Sequence, residues 1–257
     1  MKVSLIQMKV MNTPSENLIK IRSLVNEALS QGGELVVLPE MCCCEYSNEA
    51  FIKNAMPQSD DFIKALSDIA KDSRIILVAG SVPESDGGKI YNTSFVFDEN
   101  GRIIAKHRKV HLFDIDVKNG ISFRESAVFS AGDSFTAFET KWGKIGLIIC
   151  FDIRFPDFIK ANAEELKMII VPASFNMTTG PMHWELLFRA RAVDNQLFML
   201  GCASALDENA HYHSYGHSTI VDPWGNVITG LGFDEQVITC DIDLNETDEM
   251  RKQIPVY

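Results

Sequence analysis

Hydrophobic and polar positions along the chain switch repeatedly between two periods. Residues 3–10 alternate apolar side chains with Ser4, Gln7 and Lys9, which predicts a strand. Thr13-Pro14-Ser15-Glu16 then reads as a helix start, and Leu18, Ile21, Leu24, Val25 and Leu29 form a helical stripe after it. Gln31-Gly32-Gly33 stops that helix, and residues 35–38, wholly apolar, predict a short strand. A second cycle predicts a helix over 60–71 and strands over 74–81, 90–98 and 103–107. Residues 112–133 show no period and are expected to form a long loop, a feature that in compact domains is usually functional or disordered.

The alternation resumes with strands expected over 134–140 and 144–150, a helix over 156–165 and a strand over 168–172. A helix over 181–195, apolar on more than one face, and a strand over 197–203 follow. Strands over 215–222 and 236–243 close the pattern, separated by the turn Pro223-Trp224-Gly225-Asn226. No Gly-, Ser- or Pro-rich linker and no repeat divides the chain, so one α/β domain over 1–257 is expected.

Composition narrows the function. Of the 257 residues 46% are apolar and 23% charged, which excludes wholesale disorder. Lys and Arg number 24 against 35 acidic residues, and a net charge of −11 speaks against a nucleic-acid partner. No apolar run approaches the roughly 18 residues of a membrane span, and the first ten residues lack the apolar centre of a signal peptide. Six cysteines, three adjacent at Cys42-Cys43-Cys44 and none in a CxxC pair, suggest neither a disulfide framework nor structural zinc. A cytoplasmic protein without membrane association is expected.

Strands of open α/β sheets deliver reactive groups at their carboxyl ends. The strand at 35–38 runs into Pro39-Glu40, and the strand at 144–150 ends in Cys150, followed by a turn toward Pro156. A cysteine there is expected to expose its sulfur near a helix N-terminus, which favours thiolate. Each signal has an ordinary reading beside the functional one. Cys150 also fits a core cysteine and Glu40 a surface carboxylate, while Lys106-His107-Arg108-Lys109 also fits a solvated strand edge. Spacing alone does not bring these residues together.

The segments 35–40, 107–113 and 146–156, in that order, resemble the signature motifs of the nitrilase superfamily of carbon–nitrogen hydrolases, and the resemblance spans essentially the whole chain. It implies a four-layer α-β-β-α sandwich, with Cys150 as nucleophile, Glu40 as general base and Lys109 as the cation that stabilises the oxyanion. Glu125, in Phe123-Arg124-Glu125-Ser126, matches a family glutamate that orients the lysine and the substrate amide. The chemistry suits these residue types: a thiolate attacks an amide carbonyl, a carboxylate relays the proton, and an ammonium holds the oxyanion beside the backbone N–H of Phe151. No metal or other cofactor is implied.

Phe151-Asp152 after the cysteine resembles the amidase branches rather than the nitrile-acting ones. Residues 111–116, 174–185 and 191–196 are similar to the ω-amidase branch, which hydrolyses the terminal amide of 2-oxoglutaramate and 2-oxosuccinamate to a 2-oxo acid and ammonia. Residues 216–218 and 222–225 are shared with amidases of deaminated glutathione, and N-carbamoyl hydrolysis or a catalytically silent binding role stay open as alternatives. A substrate with a remote carboxylate calls for a cationic or hydroxyl-rich clamp. Arg154, Tyr46 and Thr179 are its candidates, with Phe151 and Phe175 walling the pocket. One departure stands out: the branch usually carries Cys-Phe-Asn-Ser-Pro where this chain has Met41-Cys42-Cys43-Cys44-Glu45. His211, His213 and His217 lie in a polar stretch without a partner cysteine and are read as a hairpin tip rather than a metal site. Family helices near the site build a homodimer, and one is expected here.

Overall fold

A computed structural model of the protein describes residues 1–118 and 120–257. In chain order its elements are β1 (Lys2–Gln7), α1 (Pro14–Ser30), β2 (Leu35–Val37), α2 (Asn48–Lys53), α3 (Asp61–Ser73), β3 (Ile76–Asp86), β4 (Lys89–Phe97), β5 (Ile103–Arg108), β6 (Asp114–Asp116), β7 (Ser122–Arg124), β8 (Thr136–Thr140), β9 (Gly143–Leu147), α4 (Pro156–Lys160), β10 (Met168–Ala173), α5 (Gly180–Asn195), β11 (Phe198–Ala203), β12 (Thr219–Val221), β13 (Val227–Gly230), β14 (Gln236–Asp241) and α6 (Asn245–Gln253).

The strands form two six-stranded sheets, ordered β14-β1-β2-β3-β4-β5 and β13-β12-β11-β10-β9-β8. In β2, Leu35 and Val37 point into the layer between the sheets, whereas Val36 and Leu38 pack beneath Ile21 and Val25 of α1 and Leu66 and Ile69 of α3. In β10, Met168 and Ile170 face the same inner layer while Ile169 and Val171 meet Trp184 and Phe188 of α5. Each central strand is therefore buried on both faces, which is why it reads as an unbroken apolar run. The result is the four-layer α-β-β-α sandwich. The expected start of α1 holds as well: Thr13 Oγ1 accepts from the backbone N–H of Glu16, and Pro14 occupies the first turn.

Several boundaries differ from the expectation. The supposed loop at 112–133 contains the hairpin β6–β7, in which Asp114 pairs with Arg124 and Asp116 with Ser122, followed by a 3₁₀ turn over Glu125–Ala127. Its three-residue strands are too short to show a period; Asn119 of this stretch lies outside the described residues. The helix expected over 156–165 ends at Lys160, because the guanidinium of Arg251 in α6 takes the carbonyls of Ala163 and Glu164 that a longer helix would use. The strand expected over 215–222 is paired only over Thr219–Val221. Residues of α2, β13 and α6 were not anticipated; α6 buries only Thr247 and Met250, too little for a visible stripe. The helix α5 buries one face, through Trp184, Phe188, Arg191 and Ala192, and leaves Met182 and Leu186 73% and 64% exposed on the other.

Candidate active site

Three strand ends of the two sheets meet between the layers. β2 and β3 lie so close beyond their paired residues that a Cβ on Gly80 would stand 1.9 Å from the carbonyl oxygen of Pro39; only glycine permits this approach. Ser81 then accepts from the backbone N–H of Cys42 and, through its hydroxyl, from that of Met41, which fixes the segment after Glu40. Lys109 follows β5 and donates its backbone N–H to Asn92 of β4 at 2.8 Å. Cys150 follows β9 and opens a 3₁₀ turn over Cys150–Arg154 with φ of +45°. A non-glycine residue in that region costs about 1–3 kcal/mol, strain that persists only where surrounding packing enforces it.

Glu40, Lys109 and Glu125 are entirely out of solvent, and Cys150 is 4% exposed. Lys109 Nζ donates to Glu40 Oε1 at 2.9 Å and to Glu125 at 2.9–3.0 Å. Asn92 Nδ2 donates to the same Glu40 oxygen at 2.9 Å. Glu125 is held from two further sides, by the Tyr46 hydroxyl at 2.8 Å and the backbone N–H of Phe113 at 2.7 Å. Glu40 Oε2 alone is left without a partner among the described residues. This is the arrangement of a carboxylate with one anchored oxygen and one free to take a proton.

The charges perturb one another. Burial acts to lower the Lys109 ammonium, but Glu125 and Glu40 outweigh it and hold it well above the ordinary lysine range. Burial raises Glu40, Lys109 pulls it back and Glu125 pushes it up again, leaving it above the usual carboxylate value. Burial and the neighbouring Glu40 carboxylate push the Cys150 thiol well up, against the pull of Lys109. The expectation of an exposed, helix-activated thiolate is thus overturned: the sulfur is buried, the turn it opens is short, and desolvation wins. A neutral thiol beside a carboxylate of raised basicity needs proton transfer before attack.

Asp152 is the site residue that the pattern did not single out. Its fully buried carboxylate accepts four hydrogen bonds, from His107 Nε2 at 3.1 Å, from the backbone N–H and Nδ1 of His111 at 2.8 Å each, and from the Ile149 N–H at 3.0 Å. Burial would raise its carboxyl, but the bonds from His107 and His111 hold it well below the carboxylate range. The only sequence cue was a histidine two positions on either side of Lys109.

Arg154 stands beside Cys150, with its guanidinium 5.1 Å from the Phe175 ring centre and 5.5 Å from that of Phe151. Its Nη1 donates to His183 Nδ1 at 3.2 Å, its buried Nε has no partner, and no carboxylate pairs with it among the described residues. Phe151 packs edge-on against Phe113 at 5.3 Å. Thr179, half-buried at the start of α5, directs its N–H and hydroxyl to Asn176 Oδ1. Tyr46 instead belongs with Glu125, its hydroxyl proton already donated there and its ring stacked on Tyr212 at 4.4 Å. Cys42, Cys43 and Cys44 are buried in the outer core of the first sheet. His211 and His213 are exposed, and His217 stacks on Tyr215. No cluster of three metal-ligating side chains occurs among the described residues.

The fold and this buried Glu–Lys–Cys arrangement are those of a hydrolase of carbon–nitrogen bonds, and the chain belongs to the carbon-nitrogen hydrolase family, whose profile matches residues 2–252. Among individual relatives, it is 46% identical over 256 residues to the omega-amidase NIT2 of Mus musculus, covering 99% of this chain and 93% of that one. The crystal structure of Saccharomyces cerevisiae Nit3, a member of branch 10 of the nitrilase superfamily, superposes with a TM-score of 0.92 at 37% identity, over 100% of this chain and 94% of that one. An amidase from Nesterenkonia sp. superposes with a TM-score of 0.83 at 25% identity, over 99% and 94% of the two chains.

Proposed function

We propose that this protein is an ω-amidase that hydrolyses the terminal amide of small 2-oxo dicarboxylic acid monoamides, such as 2-oxoglutaramate and 2-oxosuccinamate, through a Cys150 thioester. Glu40 takes the thiol proton as sulfur attacks the amide carbon, and Lys109 with the Phe151 N–H stabilises the oxyanion. The protonated Glu40 then gives its proton to the departing nitrogen, the C–N bond breaks and ammonia leaves. A water loses its proton to Glu40 as it attacks the thioester, the C–S bond breaks, and the 2-oxo acid departs. Glu125 holds Lys109 in line, and Tyr46 orients Glu125.

The observation that carries the substrate class is Arg154: a guanidinium beside the nucleophile, between two aromatic rings, with an unpartnered N–H and no acidic partner. Such a cation matches a carboxylate at the far end of a short amide. Phe175 and Thr179 border the same side. The family supports one domain over 1–257, and six unpaired thiols fit a reducing compartment, the cytoplasm being the location proposed. The exposed apolar face of α5 with Trp224 is proposed as a homodimer contact. No described helix is long and apolar enough to cross a membrane.

The test is ammonia release from 2-oxoglutaramate run beside deaminated glutathione, with Cys150→Ala as the blank. Release from the small oxo amide that is abolished in the variant is expected. Release from deaminated glutathione alone would overturn the substrate, and silence on both would overturn the activity.

A further inference from the structure

A second opening reaches the catalytic carboxylate from the side away from Arg154. It is lined by Glu40, Met41, Cys44 and Tyr46 from the first sheet, by Ser174, Ser204 and Ser214, and by Tyr212, while Glu45, Asp207 and Ala210 are half-buried along it. Neither Cys150 nor Arg154 nor Phe175 lines it. The space open to the centre of a water-sized solute is about 40 Å³, room for a few waters and too little for a dicarboxylic amide.

Its inner end touches the reacting atoms indirectly. Glu40, fully buried, has an unpartnered Oε2, and the backbone N–H of Ser174 is directed at the Cys150 sulfur. Its walls offer oxygen acceptors: Ser174 donates its hydroxyl proton to Ser214, Ser214 donates to the Ser204 carbonyl, and the Ser174 oxygen keeps lone pairs free. Its outer part carries Glu45 and Asp207 and no Lys or Arg among the described lining residues. Glu45 is part of the unusual Met41-Cys42-Cys43-Cys44-Glu45 segment, and its position here, not beside Arg154, gives that segment a place in the reaction.

Resting on the thioester reading above, we propose that this pocket is an ammonium port, through which the nitrogen released by C–N cleavage leaves while the acyl group stays on Cys150. Charge separates the two routes. The guanidinium side attracts the anionic substrate, and the acidic port repels it but favours the cation that ammonia becomes in neutral water. An occupied acyl pocket blocks departure past Arg154, so a second way out lets water replace ammonia behind the thioester.

The port must also work in reverse. Ammonia entering it attacks the thioester carbonyl, a C–N bond forms, the C–S bond breaks, and the proton lost by nitrogen returns to sulfur through Glu40. The experiment is turnover of 2-oxoglutaramate in ¹⁵N-ammonium chloride, with ¹⁵N in the residual amide measured by mass spectrometry against acid formed. Wild type is compared with the double variant Glu45→Gln, Asp207→Asn and with Ala210→Phe, each checked for a cooperative thermal transition.

Incorporation per acid formed is expected to fall roughly 2- to 30-fold in the double variant, as for loss of two partly screened charge contacts, and in Ala210→Phe. Equal incorporation in wild type and the double variant would overturn the port, as would none in wild type. The charge variant keeps the test decisive if Ala210→Phe does not fold. Ammonia release that survives in Cys150→Ala would instead sink the thioester reading, an outcome distinct from an unchanged ¹⁵N ratio in an enzyme that needs Cys150.

Discussion

Asp152 and His107 meet in the interior, Oδ2 to Nε2 at 3.1 Å, both side chains out of solvent. Because Asp152 follows Cys150 by two residues and His107 precedes Lys109 by two, this bond ties the nucleophile's turn to the strand end that presents the cation. His111 closes the same grip from the other side of Lys109. Substitution Asp152→Asn is expected to cost roughly 1–3 kcal/mol, since donors arranged for a carboxylate lose an acceptor. A carboxyl held low in the fold stabilises it above the unfolded value and loses that contribution as the pH falls through its folded one. The deficit of the variant in denaturant unfolding should therefore be largest near neutrality and shrink below about pH 4. A deficit independent of pH would contradict this role.

Lys109 is paired with two carboxylates, and neither has another cation. Removing its charge by Lys109→Met leaves both buried and uncompensated, which is expected to destabilise by about 3–5 kcal/mol. The loss of oxyanion support should also lower kcat by at least about 10²-fold. Chemical unfolding and steady-state kinetics check the two effects separately, and a variant as stable as wild type would show that the pairs are not formed.

Proton transfer from a raised thiol to a raised carboxylate has a signature in the pH profile. Glu40 must be ionised to accept the proton, so kcat/KM should fall on the acid side at a pH above the ordinary glutamate value of about 4.3. An acid limb at or below that value would argue against burial as the dominant influence on Glu40.

For Arg154, the comparison of two substrates is diagnostic. Arg154→Met should raise KM for 2-oxoglutaramate by about 10- to 150-fold, the worth of a charge-assisted hydrogen bond. An amide of the same length without the carboxylate should be affected much less. Equal losses on both would assign Arg154 to the scaffold.

The outward face of α5 carries Met182, Leu186 and Val193, with Trp224 nearby, all substantially exposed. If this face joins two copies, Leu186→Glu should halve the particle mass seen by light scattering at micromolar concentration. A wild-type monomer under those conditions would refute the dimer.

The layered architecture was legible because strands buried on both faces must be apolar at every position, as at 35–38 and 168–172, and because Thr13-Pro14 marks a helix start by local chemistry alone. The motifs around Glu40, Lys109 and Cys150 were legible only as a resemblance. What the sequence left undecided depends on contacts across long separations. Pairing of β6 with β7, the ending of α4 beneath Arg251, and the grip of Asp152 on two histidines arise between segments that no local period connects. The state of Cys150 belongs there too: position on a strand-to-helix turn suggests a thiolate, and only the packed sheets determine that desolvation outweighs the turn. Periodicity reports which face of an element is buried, whereas protonation and partner depend on what the tertiary fold places opposite it.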